Sequence, residues 1–219
     1  VTEVFPATVL AAAAASLVTY AAHRRIPIRI KREDLRVSPR WVSALAAVVA
    51  GGLVGGVLAG FGVHWVALPY AFFAVMGVLL ADVDLRSRLL PNPLLAVTGI
   101  GGIVLLSIAS LTAHQWRALL AASIGGAVLF VVFLLLAAIS PTGIGMGDVK
   151  LAAVVGLALG YRSPAVVLLG VLIAFVLAGC AAAALLIARR ASLRTMVPFG
   201  PFMIAGAVLA LLPALNAFA

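Results

Sequence analysis

Three aspartates interrupt otherwise apolar sequence: Asp82 and Asp84 close one hydrophobic run, and Asp148 opens another within "PTGIGMGDVK", residues 141–150. The other acids, Glu3, Glu33 and Asp34, lie at the amino terminus and in a basic segment. A carboxylate inside or bordering a bilayer costs several kcal/mol unless it is paired or solvated, so acids in such places usually mark a function. Two carboxylates in one partly dry pocket share a proton. One then acts as general base on a water and the other as general acid on a scissile carbonyl, which is aspartic protease chemistry. The same pair also suits a proton relay or a cation site. Helix-end carboxylates can also do no more than pair with basic neighbours such as Arg86 and Arg88. Spacing alone leaves these alternatives open.

The elements that must position these groups are membrane helices. With 65% hydrophobic and 10% charged residues among 219 and a mean hydropathy of +1.28, the chain has too little polar surface for a soluble globular domain. Apolar segments run at about 4–22, 41–62, 64–81, 93–112, 117–139, 147–160, 163–188 and 198–217. Lipid offers backbone groups no partners, and the alternation of a barrel strand is absent, so these segments predict an all-α polytopic bundle of about eight transmembrane helices. Gly51, Gly52, Gly55, Gly56 and Gly60 recur at four-residue spacing, which predicts close helix packing. Trp41, Trp65 and Trp116 each open a segment, as interfacial anchors do.

The basic residues give an orientation. "HRRIPIRIKREDLRVSPR", residues 23–40, carries seven of them and should be cytoplasmic. Alternation from there places Arg86, Arg88, Lys150, Arg189, Arg190 and Arg194 on the same side and leaves only Arg117 and Arg162 outside. Both termini then face outward. The first apolar run has no basic residues before it, so it is expected to stay as a helix and not to be cleaved as a signal peptide. Topology and contact with anionic lipid account for the net charge of +9, and no nucleic-acid partner is expected. By this topology Asp84 and Asp148 fall at the same membrane depth.

The sixth segment is short. From Asp148 to Gly160 there are 13 residues, roughly 20 Å of helix against roughly 30 Å of hydrocarbon. The uncharged "SPTGIGMG" before it is therefore expected to dip below the headgroups and line a wet cavity, with Gly143, Gly145 and Gly147 allowing tight turns.

"GMGDVKLAAVVGLALG" resembles the GxGD signature of type IV prepilin peptidases, and "DLRSRLLPN", residues 84–92, resembles their other catalytic segment. "PFGPF", residues 198–202, is similar to a third landmark before the last helix. The three occur in the right order and, with the eight helices, form a match covering most of residues 65–217. The resemblance implies an aspartic membrane endopeptidase that removes short basic leader peptides from prepilin or pseudopilin precursors at the cytoplasmic face of a bacterial inner membrane. Carried over by position, the catalytic pair is Asp84 and Asp148. Gly145, Gly147, Lys150, Pro91, Asn92, Pro198, Gly200 and Pro201 would bind substrate or support the pair. The rival from another class is a small proton-coupled transporter or channel with the two acids as its relay.

Many members of that family also methylate the new amino terminus and carry two Cys-x-x-Cys pairs after the first helix. This chain has one cysteine, Cys180, and His23, His64 and His114 flank different loops. No zinc ligand set can be assembled from them. The expected form is a peptidase without the methyltransferase half, with no metal or organic cofactor. It would be a single membrane-embedded domain, residues 1–219, whose partners are its precursor and membrane lipids. Asp82 lies two positions before Asp84 and should point roughly 200° away from it on a helix.

Overall fold

The computed structural model describes residues 4–25, 40–61, 64–140, 143–188 and 198–215. Among these there are eight helices and no strands: α1 Val4–Arg25, α2 Arg40–Phe61, α3 Ala67–Ser87, α4 Asn92–Ala113, α5 Trp116–Ile139, α6 Met146–Gly160, α7 Pro164–Ile187 and α8 Gly200–Leu215. The eight apolar runs thus become eight helices, but they are not equivalent. Five contain stretches long and apolar enough to cross a membrane: Trp41–Phe61, Ala67–Ser87, Asn92–Ala113, Trp116–Ile139 and Pro164–Ile187. Thr8–Ala22 and Gly200–Leu212 are shorter apolar stretches, and α6 has 15 residues. Most of the basic segment (residues 26–39) and Arg189, Arg190 and Arg194 lie outside the described residues.

The short helix α6 is the centre of the bundle. Nine of its residues are buried, among them Val149, Leu151, Val155 and Leu159. They pack with Leu80 of α3, Leu95 of α4, Leu129 and Phe133 of α5 and Met203 of α8. A helix that is apolar on every side suits the inside of a bundle. Helix α7 is peripheral instead: Leu168, Leu172 and Val176, spaced one turn apart, are 73%, 62% and 55% exposed and form a face for lipid.

Small residues permit the closest crossings, though not only where the repeated glycines of α2 suggest. A Cβ on Gly125 of α5 would lie 2.7 Å from the Gly156 carbonyl oxygen of α6, so this crossing requires glycine. On α2, Gly51 and Gly55 do face α1, at Ser16 and Ala12. Gly52 and Gly56 face no neighbour: a Cβ there meets nothing within 4 Å.

Helix α3 runs past position 81 to Ser87, so Asp82 and Asp84 lie inside its last two turns and not beyond its end. It stops at Arg88, whose φ of 51° is left-handed and whose N–H donates to the Asp84 carbonyl oxygen. The Ser87 hydroxyl lies within hydrogen-bonding distance of two carbonyl oxygens, those of Val83 at 2.7 Å and Leu89 at 2.8 Å, either of which can take its one proton, bracing the turn. Pro91, extended at φ −64° and ψ 128°, then caps α4, and the turn from α3 to α4 is complete in four residues, 88–91.

Candidate active site

Asp84 is fixed from two directions. Its backbone belongs to the last turn of α3, and the residue is only 4% exposed. Across 116 residues of sequence, the Gly200 N–H donates to Asp84 Oδ2 at 3.1 Å. Gly200 is the first residue of α8, where backbone N–H groups have no partner within the helix and are free to hold an anion. The approach depends on glycine, because a Cβ there would stand 2.6 Å from Asp84 Oδ2 and 3.4 Å from Leu151 Cδ2.

Asp148 enters from the other side, in the first turn of α6. The helix starts after Gly145, an extended residue at φ −78° and ψ 153°. The carbonyl of Gly145 accepts from Asp148 N at 3.0 Å, and its backbone also hydrogen-bonds the Asp148 side chain. Asp148 is close enough to Asp84 for the two charges to act on each other. The bundle thus brings together two acids that the sequence holds on separate segments. Pro141 and Thr142 of the loop before α6 lie outside the described residues. Ile144 packs on the hydrophobic core instead of lining open space, while Gly145 and Met146 are exposed.

The remaining predicted residues close the same end of the bundle. Lys150 Nζ donates to Asn92 Oδ1 at 2.7 Å, tying the start of α6 to the start of α4. Gly147 lies against Leu90, whose Cβ would be 3.0 Å from a Cβ at that position. Pro91 caps α4. Pro198 precedes α8 and Pro201 lies in its first turn; neither has a polar contact to the two acids among the described residues. Asp82 does point elsewhere, to an ion pair with Arg86 one turn on.

Two supporting elements had no clear sequence signal. The Phe199 ring packs at a tilt against Phe133 and Phe175, with centroid distances of 5.8 and 5.1 Å, seating the segment that delivers Gly200. Ser87 braces the turn after Asp84. The position of Phe199 next to a Gly between two prolines was visible, but not its ring partners. Cys180 is exposed on α7, His64 is exposed ahead of α3 and His114 ends α4.

Residues 71–187 match the model of the type IV leader peptidase family. Over 154 residues the chain is 32% identical to the prepilin leader peptidase/N-methyltransferase of Bacillus subtilis (strain 168), an alignment covering 69% of this chain and 58% of that protein. No solved structure matches. The family match contains both aspartate segments and stops short of residues 198–201, so it covers the acids but not the Gly200 amide that holds one of them. Together with the identity shared along two thirds of its length, this establishes that the chain belongs to the type IV leader peptidase family.

Proposed function

We propose that the chain is an aspartic endopeptidase that cleaves the short basic leader from type IV prepilin-like precursors, with Asp84 and Asp148 as its catalytic pair. The observation that carries this reading is the meeting of these two acids, on α3 and α6, at charge-coupling distance in an otherwise apolar bundle. One carboxylate takes a proton from water as the oxygen attacks the scissile carbonyl, and the other gives its proton to the carbonyl oxygen. As the tetrahedral gem-diol collapses, the proton gained by the first passes to the departing amine, and a gem-diol hydroxyl returns its proton to the second as the new carboxyl forms. Water is consumed, the C–N bond breaks, and the pair again holds one proton.

Gly200 and Gly145 are positioning residues in this scheme, each holding one acid through its backbone. Lys150 and Asn92 fasten the helices that carry and flank them. Residues 1–219 act as one membrane-embedded domain of a bacterial cytoplasmic membrane, with the paired acids near the cytoplasmic face. A basic leader suits that position, because anionic headgroups attract it to the mouth of the site.

Replacing Asp84 or Asp148 with Asn should lower precursor cleavage by about 10²–10⁴-fold or more, with the protein still folded in the membrane. Asp82→Asn should retain most activity. A fully active Asp148→Asn enzyme would refute the dyad, and proton-coupled uptake that needs both acids would favour a relay. For sidedness, a cysteine at exposed Leu89, in a Cys180→Ser background, should be labelled from the cytoplasm. Labelling only from outside reverses the topology.

A further inference from the structure

The amide that holds Asp84 belongs to the peptide joining Phe199 to Gly200. The Phe199 carbonyl accepts from Met203 N at 3.1 Å, so it points into α8. In a planar trans peptide the N–H points the opposite way. The Gly200 N–H therefore leaves the helix start and meets Asp84 Oδ2 at 3.1 Å. One rigid plane thus ties the direction of the carboxylate to the placement of the first turn of α8. Pro201, the next residue, has no N–H to offer as a substitute.

That placement is set by rings. Phe133 of α5, Phe175 of α7 and Phe199 form a closed triangle: Phe199 lies 5.8 Å from Phe133 and 5.1 Å from Phe175 between centroids, and Phe133 lies 6.0 Å from Phe175. All three separations fall where aromatic pairs attract beyond simple burial. The corners belong to different parts of the bundle. Phe133 is 1% exposed and shares a buried cluster with Val149 and Leu151, which follow Asp148 on α6. Phe175 follows Ala174, whose backbone N would stand 2.8 Å from a Cβ on Gly206 of α8. The Phe199 ring thus touches the frame that carries Asp148 on one side and the helix that grips α8 on the other. Leu151 closes in as well, with its Cδ2 3.4 Å from a Cβ placed on Gly200.

We propose that the triangle of Phe133, Phe175 and Phe199 holds the Gly200 amide, and through it Asp84, in register with the α5–α6 pair that carries Asp148. The three phenylalanines are positioning residues that act through this amide. Phe175 is the least expected of them, since it is 44% exposed on a helix whose outer face meets lipid. Without one ring the helix start shifts between positions, and the two acids spend less time at the separation that cleavage needs. Turnover suffers, while precursor binding does not use the rings. The inference rests on Asp84 and Asp148 being the catalytic pair.

The test uses the full chain and two readouts. Phe175→Ala and Phe199→Ala should lower kcat by about tenfold or more, a partial form of the roughly hundredfold loss that a 1 Å misplacement brings, with KM unchanged. Phe175→Tyr keeps the ring and should restore most of kcat. Val176→Ala, at a neighbouring lipid-facing position, should match the wild type. The second readout is hydrogen exchange of the Gly200 amide in glycine-labelled protein, its signal assigned by loss in Gly200→Ala. Exchange should quicken at least about tenfold in both alanine variants and not in Val176→Ala. Where an alanine variant does not fold, Phe175→Leu, which keeps bulk without the ring, is read in the same way. Unchanged exchange would overturn the proposal whatever happens to kcat, and so would faster exchange with full kcat. A fully active Asp84→Asn enzyme would instead refute the catalytic pair, an outcome that the exchange measurement keeps separate.

Discussion

The Gly200 N–H reaches Asp84 Oδ2 at 3.1 Å, joining the first residue of α8 to the last turn of α3. The bond sets the rotamer of one acid from a helix that carries no acid of its own among the described residues. It also explains why a glycine stands between two prolines: the prolines shape the chain, and the missing Cβ lets the amide through.

Gly200→Ala should therefore impair cleavage without unfolding the bundle. A Cβ 2.6 Å from Asp84 Oδ2 must push the carboxylate or the helix end aside, and misplacement by about 1 Å costs roughly a hundredfold in rate. The loss should appear in kcat more than in KM. Gly179→Ala, on an open face of α7, is the control. An unimpaired Gly200→Ala enzyme would show that the Gly200 bond does not position Asp84 for the reaction.

Much of this arrangement could be read from sequence. Length and hydropathy gave eight helices, because a bilayer leaves the backbone no alternative to internal hydrogen bonds, and the divergence of Asp82 from Asp84 followed from helical periodicity. Other features could not be read, since they depend on which faces meet. Gly52 and Gly56 belong to the same repeat as Gly51 and Gly55, yet only the latter two meet α1. The tight crossing of α5 and α6 at Gly125 and Gly156 was equally invisible. Lys150 could have faced headgroups, substrate or Asp148; Asn92 becomes its partner only once α4 and α6 lie side by side.

That contact makes Lys150 a fastening between helices, and a double-mutant cycle can separate this role from substrate recognition. Lys150→Met and Asn92→Ala should each lower stability by about 0.5–1.5 kcal/mol, and the double variant should cost less than the sum of the two. Activity should fall by similar, modest factors in both. If Lys150 instead reads an acidic residue of the precursor, Lys150→Met alone will raise KM, and only for precursors that carry the acid. Full additivity in stability would remove the fastening role.

The last prediction concerns methyl transfer. The Bacillus subtilis relative is named for both activities, and this chain spans 58% of its length. Cys180 is the single cysteine and lies on the exposed side of α7, so the chain supplies no cysteine pair to organise a zinc-bound insert. Given precursor and S-adenosylmethionine, the purified chain should cleave and leave the new amino terminus unmethylated. Mass spectrometry of the mature product checks this directly, since one methyl group adds about 14 Da. A methylated product would show that the helices and the basic segment between α1 and α2 suffice for transfer without an insert. Zinc chelation should leave cleavage unchanged, because the proposed chemistry uses only two carboxylates and a water. Loss of cleavage on chelation, restored by zinc, would mean that a metal supports the site after all.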